Sequence, residues 1–432
     1  MCLNQLSWRQ VALPLNAAVA ILLGGILLAT TAQAQPTASE LPGADLEELL
    51  RLAEAANPEL AMSHQESRAA NARVEASDVL PDPVLDVKFR DNELDGGWWP
   101  KRAGDRLYTV RQMFPLGGRR ALRREEADAL ARQSAAKVTL TRSELRSRVK
   151  AAYAEHHQLA ERIRLNRELL AAMSALVRLM ESRYTQGLAS QQEFLNAQIE
   201  RNMLESDRFR LEGERARVRI RINMLLARPL ESALANAIRP RPVPDARAMD
   251  KPALALRVSE RGPSSAIQAA EVERAEVLRK LSERTGYPDL ELGFGVIERE
   301  GQAMAYEAMV TVSLPLWFGA RGALRREAAE MAAAAQSKSR MVSIQVQSEL
   351  QEALAELSAT QDTLRLLRES SGVQARLAFQ TALRGFEQGR SEAALVIDAL
   401  RRLRAVQADV LNMEMEEQSR LAMIERLLGE DL

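Results

Sequence analysis

Apolar residues along this 432-residue chain recur at two different periods, and the two periods occupy different stretches. Over residues 116–228, and again over 316–432, they return every three or four positions. Leu159, Ile163, Leu169, Leu170, Met173, Leu176, Val177 and Met180 form such a series, with Arg, Glu and Gln between them. That spacing lines one face of an α-helix. Neither stretch contains a proline, which would remove a backbone donor and clash with the preceding turn, so very long helices are permitted.

Each stretch is interrupted once, by glycine. The first reads "RYTQGLASQQEFLNAQ" around Gly187 and the second "GFEQGRSEAALVIDAL" around Gly389. In both, an aromatic (Tyr184, Phe386) precedes Gln-Gly, and a serine (Ser190, Ser391) follows where a new helix needs a cap. Two helical hairpins are expected, over 119–228 with a tip near 187 and over 320–430 with a tip near 389. The first arm would run on the order of 100 Å at 1.5 Å per residue, more than a globular core requires.

The second period is two. Leu85, Val87 and Phe89 alternate strictly with Asp86, Lys88 and Arg90. Tyr306, Ala308, Val310 and Val312 alternate with Glu307, Met309 and Thr311, and Leu290, Leu292, Phe294 and Val296 with Glu291 and two glycines. Only a strand converts that period into two faces. Strands are expected at about 84–91, 106–114, 288–298 and 304–314; the second is less regular, because Gln112 shares a face with Tyr108 and Val110.

These elements occur twice. "PLGGRRALRREEA" begins at Pro115 and "PLWFGARGALRREAA" at Pro315; "LPDPVLDVKFRD" from Leu80 parallels "YPDLELGFGVIE" from Tyr287. Upstream, the stretch from Asn57 parallels that from Gly262, each a helix opened by proline. The chain therefore reads as a tandem duplication of helix, two strands and long hairpin. The first repeat covers 35–228, a proline-rich connector 229–262, and the second repeat 263–432. The glycines after each Pro-Leu (Gly117, Gly118, Gly319 and Gly322) are expected to turn the backbone, with Ala-Leu-Arg-Arg-Glu opening each long helix.

Composition narrows the setting. Lys plus Arg and Asp plus Glu number 59 each, so bulk charge does not favour nucleic acid. The Arg119, Arg120, Arg123, Arg124, Arg325 and Arg326 clusters are interleaved with Glu125, Glu126 and Glu327, which points to pairing on the helix surface. Residues 1–34 have the form of a signal peptide, with Arg9, an apolar run over 11–29, and Ala32 and Ala34 in a cleavage pattern; a membrane anchor is the alternative. The single cysteine, Cys2, lies in that leader. There is no catalytic or cofactor-binding motif, so neither an enzyme nor a cofactor is expected. His156 and His157 are a metal-ligand type, but adjacent helical side chains diverge by about 100°, which hinders shared ligation.

Of 4 Trp, 5 Tyr and 8 Phe, only Trp8 lies in the leader; ten of the remaining 16 fall within 84–118 or 287–319. A half-exposed soluble sheet would explain alternation alone. Aromatics such as Trp98, Trp99, Tyr108, Tyr306 and Trp317 near the strand ends match the interfacial girdles of an outer-membrane barrel, and strands of about nine to eleven residues match its thickness. Asp86, Lys88, Arg90, Arg111, Glu291 and Glu307 would then line the lumen. Four strands cannot close a barrel and open edges are forbidden in lipid; three copies would supply twelve.

A duplicated strand–strand–hairpin unit behind an export signal resembles the TolC-like outer-membrane efflux proteins over essentially the whole mature chain. The strand-to-helix exit from Gln112 to Arg120, its second copy at 313–322, and the two glycine tips carry the resemblance. The "FPLGGRR" form is most similar to the heavy-metal cation branch that partners resistance-nodulation-division pumps. The resemblance implies a mainly α, mixed fold: a homotrimeric 12-stranded β-barrel in the outer membrane, continued by a periplasmic α-helical barrel. It implies that the tips (Tyr184, Gly187, Ser190, Phe386, Gly389, Ser391) meet a periplasmic adaptor leading to an inner-membrane pump. It also implies an acidic periplasmic gate, matched here by Asp398; the companion position is Leu395, and Glu392 is its candidate substitute. The function so implied is the exit duct of a tripartite efflux system for metal cations. A drug-efflux or type I protein-secretion duct is the alternative, and a periplasmic coiled-coil adaptor is the alternative of a different class.

Overall fold

A computed structural model describes residues 41–90, 105–237, 240–244, 249–299 and 302–432. The expected leader at 1–34 and the girdle residues Trp98 and Trp99 lie outside the described residues. Two helices, α1 (Leu46–Ala56) and α2 (Pro58–Ser77), lead into strands β1 (Val84–Arg90) and β2 (Asp105–Pro115). A hairpin of α3 (Arg119–Thr185) and α4 (Gln191–Leu225) follows. After the connector, α5 (Lys251–Arg261) and α6 (Pro263–Glu283) lead to β3 (Asp289–Arg299) and β4 (Gln302–Val312). The second hairpin has α7 (Phe318–Leu366) and α8 (Gly372–Glu387) as its outgoing arm, joined by a π turn at Leu367–Ser371, and α9 (Ala393–Leu428) as its return.

Two elements were not legible in the pattern. The connector is not purely irregular, because α5 occupies 251–261 with Pro252 in its first turn and the Asp250 carboxylate capping Ala253. The outgoing arms also differ between repeats: α3 is unbroken over 67 residues, about 100 Å at helical rise, whereas its counterpart carries the π turn.

Each outgoing arm is longer than its return, and the deficit is filled by splicing. Asn57 donates from Nδ2 to the Leu225 carbonyl at 3.0 Å, where α4 ends. Its Oδ1 accepts from the N–H groups of Glu59 (2.9 Å) and Leu60 (3.3 Å), where α2 begins. One side chain thus satisfies orphan groups of two helix ends and sets them end to end. In the second repeat, Gly262 at the start of α6 stands so near the end of α9 that a Cβ there would fall 3.1 Å from the Leu427 carbonyl oxygen.

Three apolar cores hold the helices. One gathers Leu49, Leu50, Leu145, Tyr153 and Ile222 from α1, α3 and α4. A second, with Leu254, Val258, Leu350, Leu421 and Ile424, binds α5 and α7 to α9. The third lies toward the tips, where Met173, Met180 and Leu204 of the first hairpin meet Phe386, Val396 and Leu400 of the second. A buried charge network fastens the repeats together at the level of the first two. Glu425 on α9 accepts from Lys150 on α3 (2.6 Å), from both Arg241 terminal nitrogens (2.7 Å each) and from the Leu432 amide (2.8 Å). Lys150 also reaches Asp431 at 2.5 Å. Arg146 pairs with Asp431 and with Glu54 on α1.

The strands form one antiparallel sheet in the order β1-β2-β3-β4, with β1 and β4 at its edges. Leu85 lies opposite Val110, Val110 opposite Phe294, and Phe294 opposite Ala308, so the apolar positions of all four strands share a face. A bulge at Ile297/Glu298 interrupts the β3–β4 ladder near its far end.

Candidate functional site

The sheet separates its side chains by character. Leu85, Phe89, Val110, Phe294, Tyr306 and Val310 stand exposed on one face. Asp86, Lys88, Arg90, Arg111, Glu291 and Glu307 all fall on the other, by the same register. Arg111 is the hub of that face: its Nε pairs with Asp86 on β1 and its Nη1 donates to Glu291 on β3 at 2.6 Å. Farther along, Arg299 Nε donates to Asp105 at 2.5 Å. The two glycines of β3 make room for this layer, since a Cβ on Gly295 would lie 2.6 Å from Thr109 Oγ1 and one on Gly293 3.1 Å from Arg111 Cγ. The exposed apolar face is rimmed by aromatics. Tyr108 and Tyr306 both lie opposite Val296, in one row toward the β2–β3 end that begins at Asp105. Trp317, 79% exposed, stands at the other end beside Phe318. Gln112, the exception in its strand, donates to the Pro81 carbonyl at 2.7 Å, so it serves the rim.

Where strand passes to helix, the two copies of the repeated phrase behave differently. In the first, Gly117 (φ +74) and Gly118 (φ +72) adopt the left-handed region, and Gly117 sits against Tyr287, whose Cγ would be 2.7 Å from an added Cβ. In the second, α7 begins at Phe318, so Gly319 and Gly322 are helical and do not make the turn. There the chain turns through Leu314–Phe318, with Leu316 N–H bonding Leu314 and Phe318 N–H bonding Leu316. The basic cluster acts across elements more than along its own helix. Arg119 pairs with Asp289, Arg120 Nε donates to the Asp78 carbonyl at 2.7 Å, and Arg124 meets the Asp78 carboxylate at 3.0 Å. These arginines tie the start of α3 to the end of α2 and the start of β3.

Both tips close with the same helix-ending motif. Gly187 (φ +73) bonds the Tyr184 carbonyl while Leu188 N–H reaches back to Arg183; Gly389 (φ +72) and Arg390 do the same with Phe386 and Gly385. Ser190 and Glu193 form a reciprocal capping box on α4. Ser391 does not cap its helix: its hydroxyl donates back to Ala382 on α8 at 3.2 Å, and Glu392 occupies the cap position without a side-chain bond. Phe386 is buried, unlike Tyr184, which is exposed and stacked on Phe194 at 6.0 Å. The Phe386 ring lies 4.4 Å beneath the Arg183 guanidinium, and Arg183 also donates to the Phe386 carbonyl at 2.9 Å, so Phe386 links the tips and is not free for a partner. Arg401 on α9 repeats this tie by reaching the buried Glu200 of α4 at 2.6 and 2.8 Å. The most exposed apolar residue at the first tip is Leu188, at 72%, which the motif search did not single out.

Asp398 lies half exposed on α9, 2.8 Å from Arg402 one turn on. With Leu377, Thr381 and Leu395 it lines a groove of about 690 Å³ between α8 and α9. Glu392 is separated from it by more than a helical turn of sequence. His156 is buried with Nε2 2.8 Å from the Ala235 carbonyl, which requires that nitrogen to donate; burial lowers its pKa from the ordinary value. His157 faces the Ala237 carbonyl at 3.5 Å, so both rings serve the connector. Among the described residues no group of three or more His, Cys, Asp or Glu is arranged to hold a metal ion, and no helix is long and apolar enough to cross a membrane.

This architecture has close parallels. The cobalt-zinc-cadmium resistance protein CzcC of Cupriavidus metallidurans is 24% identical over 434 residues, spanning 98% of this chain and 100% of that protein. The outer membrane protein VceC of Vibrio cholerae superposes with a TM-score of 0.76 at 16% identity, covering 89% of this chain and 96% of its own. CusC does so with a TM-score of 0.76 at 15% identity, over 89% and 92%. The outer membrane efflux protein profile matches residues 49–228 and 258–430, one block for each repeat. The chain belongs to the outer membrane efflux protein family, and it is an efflux channel of the outer membrane that extends into the periplasm.

Proposed function

We propose that three copies of this chain assemble into one duct, with twelve strands closing a barrel and the paired helices continuing it through the periplasm. The observation that carries this reading is the sheet: one exposed apolar face, one charged face and two open edges. In lipid those edges need partners, and antiparallel closure supplies them. Leu85, Val110 and Phe294 then face outer-membrane lipid, Tyr108, Tyr306 and Trp317 mark the two interfaces, and the six charged positions from Asp86 to Glu307 line the lumen. The tips around Gly187 and Gly389 dock a periplasmic adaptor that couples the duct to an inner-membrane resistance-nodulation-division pump, with Tyr184 and Leu188 as the accessible apolar contacts.

Asp398 forms the periplasmic constriction in this reading, three carboxylates around the axis favouring cations over anions. Glu392 stands nearer the tip and contributes negative potential there. The cargo is a heavy-metal cation, supported by the similarity to CzcC along nearly the full chain. A strain lacking the gene should become sensitive to zinc, cobalt or cadmium and recover with the plasmid-borne gene. Sensitivity to hydrophobic drugs alone would refute the metal cargo. Purified protein in detergent should run as a heat-resistant trimer and conduct in planar bilayers, with Asp398→Ala raising conductance at low voltage. A monomer soluble without detergent would refute the duct, and unchanged conductance would refute the gate.

A further inference from the structure

The charged face of the sheet is nearly self-sufficient in its centre and incomplete at its two edges. Arg111 on β2 is met by Asp86 and Glu291, and Asp105 by Arg299. Two groups of opposite sign are left over, one on each edge strand. Lys88 on β1 has no ion-pair partner among the described residues and stands exposed. Glu307 on β4 has its Oε2 shielded from solvent with no hydrogen-bond partner. A shielded, unpartnered carboxylate oxygen is costly unless something outside the single chain completes it.

We propose that Glu307 of one copy is closed by Lys88 of the next, forming the ion pair that joins neighbouring copies across the barrel seam. The inference rests on the trimeric reading above. β1 and β4 are antiparallel to each other through the alternating ladder, so the β4 edge accepts the β1 edge of a second copy as the next strand of the same meander. The side-chain period of two requires charged face to meet charged face, which leaves Val84, Asp86, Lys88 and Arg90 as the positions Glu307 can oppose. Asp86 would place like charges together. It also lies in Glu307's own row, through Thr109 and Gly295, and the stagger of a tilted barrel prevents a row from closing on itself. Arg90 lies opposite Asp105 at the far end of the strand. Lys88, one charged-face position from Asp86, is the cation that remains.

The test is disulfide trapping in outer-membrane vesicles, with Lys88→Cys and Glu307→Cys combined and each single variant as control. The double variant should give covalent dimers and trimers on heated, non-reducing gels, and more of them than Asp86→Cys with Glu307→Cys. Lys88→Glu and Glu307→Lys should each lower the temperature at which trimers dissociate in detergent, and the double reversal should restore it. If trimers form but neither the cross-link nor the rescue appears, the seam assignment is wrong while the duct stands. If the wild type forms no trimer, the reading beneath it fails as well.

Discussion

Glu425 allows the energetic argument to be tested sharply. Its carboxylate is 4% exposed and accepts from Lys150, from both arms of Arg241 and from the Leu432 amide. Glu425→Gln keeps the volume and removes the charge, so no cavity confuses the result. It leaves the buried Lys150 with Asp431 alone and turns an amide toward Arg241. Removing one member of a buried ion pair costs about 3–5 kcal/mol, because the remaining charge stays desolvated. Asp431 still meets Lys150, which places the expected loss near the lower bound, about 3 kcal/mol per chain. Glu168→Gln is the matched control: Arg164 meets Glu168 at 2.7 Å, but both are exposed, and such pairs contribute about 0–1 kcal/mol. Urea unfolding followed by circular dichroism, at equal protein concentration and in one detergent, compares the two. If Glu425→Gln costs no more than Glu168→Gln, the network is not what fastens the repeats.

Three further outcomes follow from local geometry. Burial holds the His156 ring neutral, so its folded pKa lies below the unfolded value near 6.5; its contribution is complete above about pH 6.5 and is lost as pH falls toward the folded value. Thermal melts from pH 7.5 to 5 should slope downward in the wild type and less in His156→Gln. Ala227 is the one non-glycine residue with positive φ (51°) among those described, at the end of α4, whereas the end of α9 has Gly429 (φ 78°). Ala227→Gly should stabilise by about 1 kcal/mol. Gly429→Ala should destabilise by more than that, since its Cβ would lie 2.7 Å from Pro263 Cγ; equal effects of one sign would refute the comparison. Finally, Val110→Arg at the middle of β2 should cost about 2–4 kcal/mol in lipid and Gln112→Arg near the rim about 0–1, measured by refolding into vesicles. Equal costs would argue against the apolar face meeting lipid.

Much of the architecture was legible because it rests on local periodicity. A period of two, a period of 3.6, prolines confined to joints and a glycine at each tip are properties of consecutive residues. They point to four strands and two hairpins without any long-range contact. Family membership was legible for the same reason, since a duplication preserves spacing even where residues have drifted.

What proximity alone decides was not legible. Ser190 and Ser391 occupy matching positions, yet only Ser190 caps its helix, because Ser391 lies within reach of the Ala382 carbonyl. Phe386 and Tyr184 match as well, yet Phe386 is buried beneath Arg183 of the other hairpin. Gly319 looked like Gly118 but became helical once Trp317 and Phe318 lengthened the joint. The Asn57 splice spans 168 residues and the Lys150–Glu425 pair 275, distances over which sequence carries no pattern. The sequence by itself determined which face each strand and helix would present, since that is set by the angle between successive side chains. Only the tertiary structure decided which of those faces meet, because partner choice depends on burial and on the distance between groups far apart in the chain.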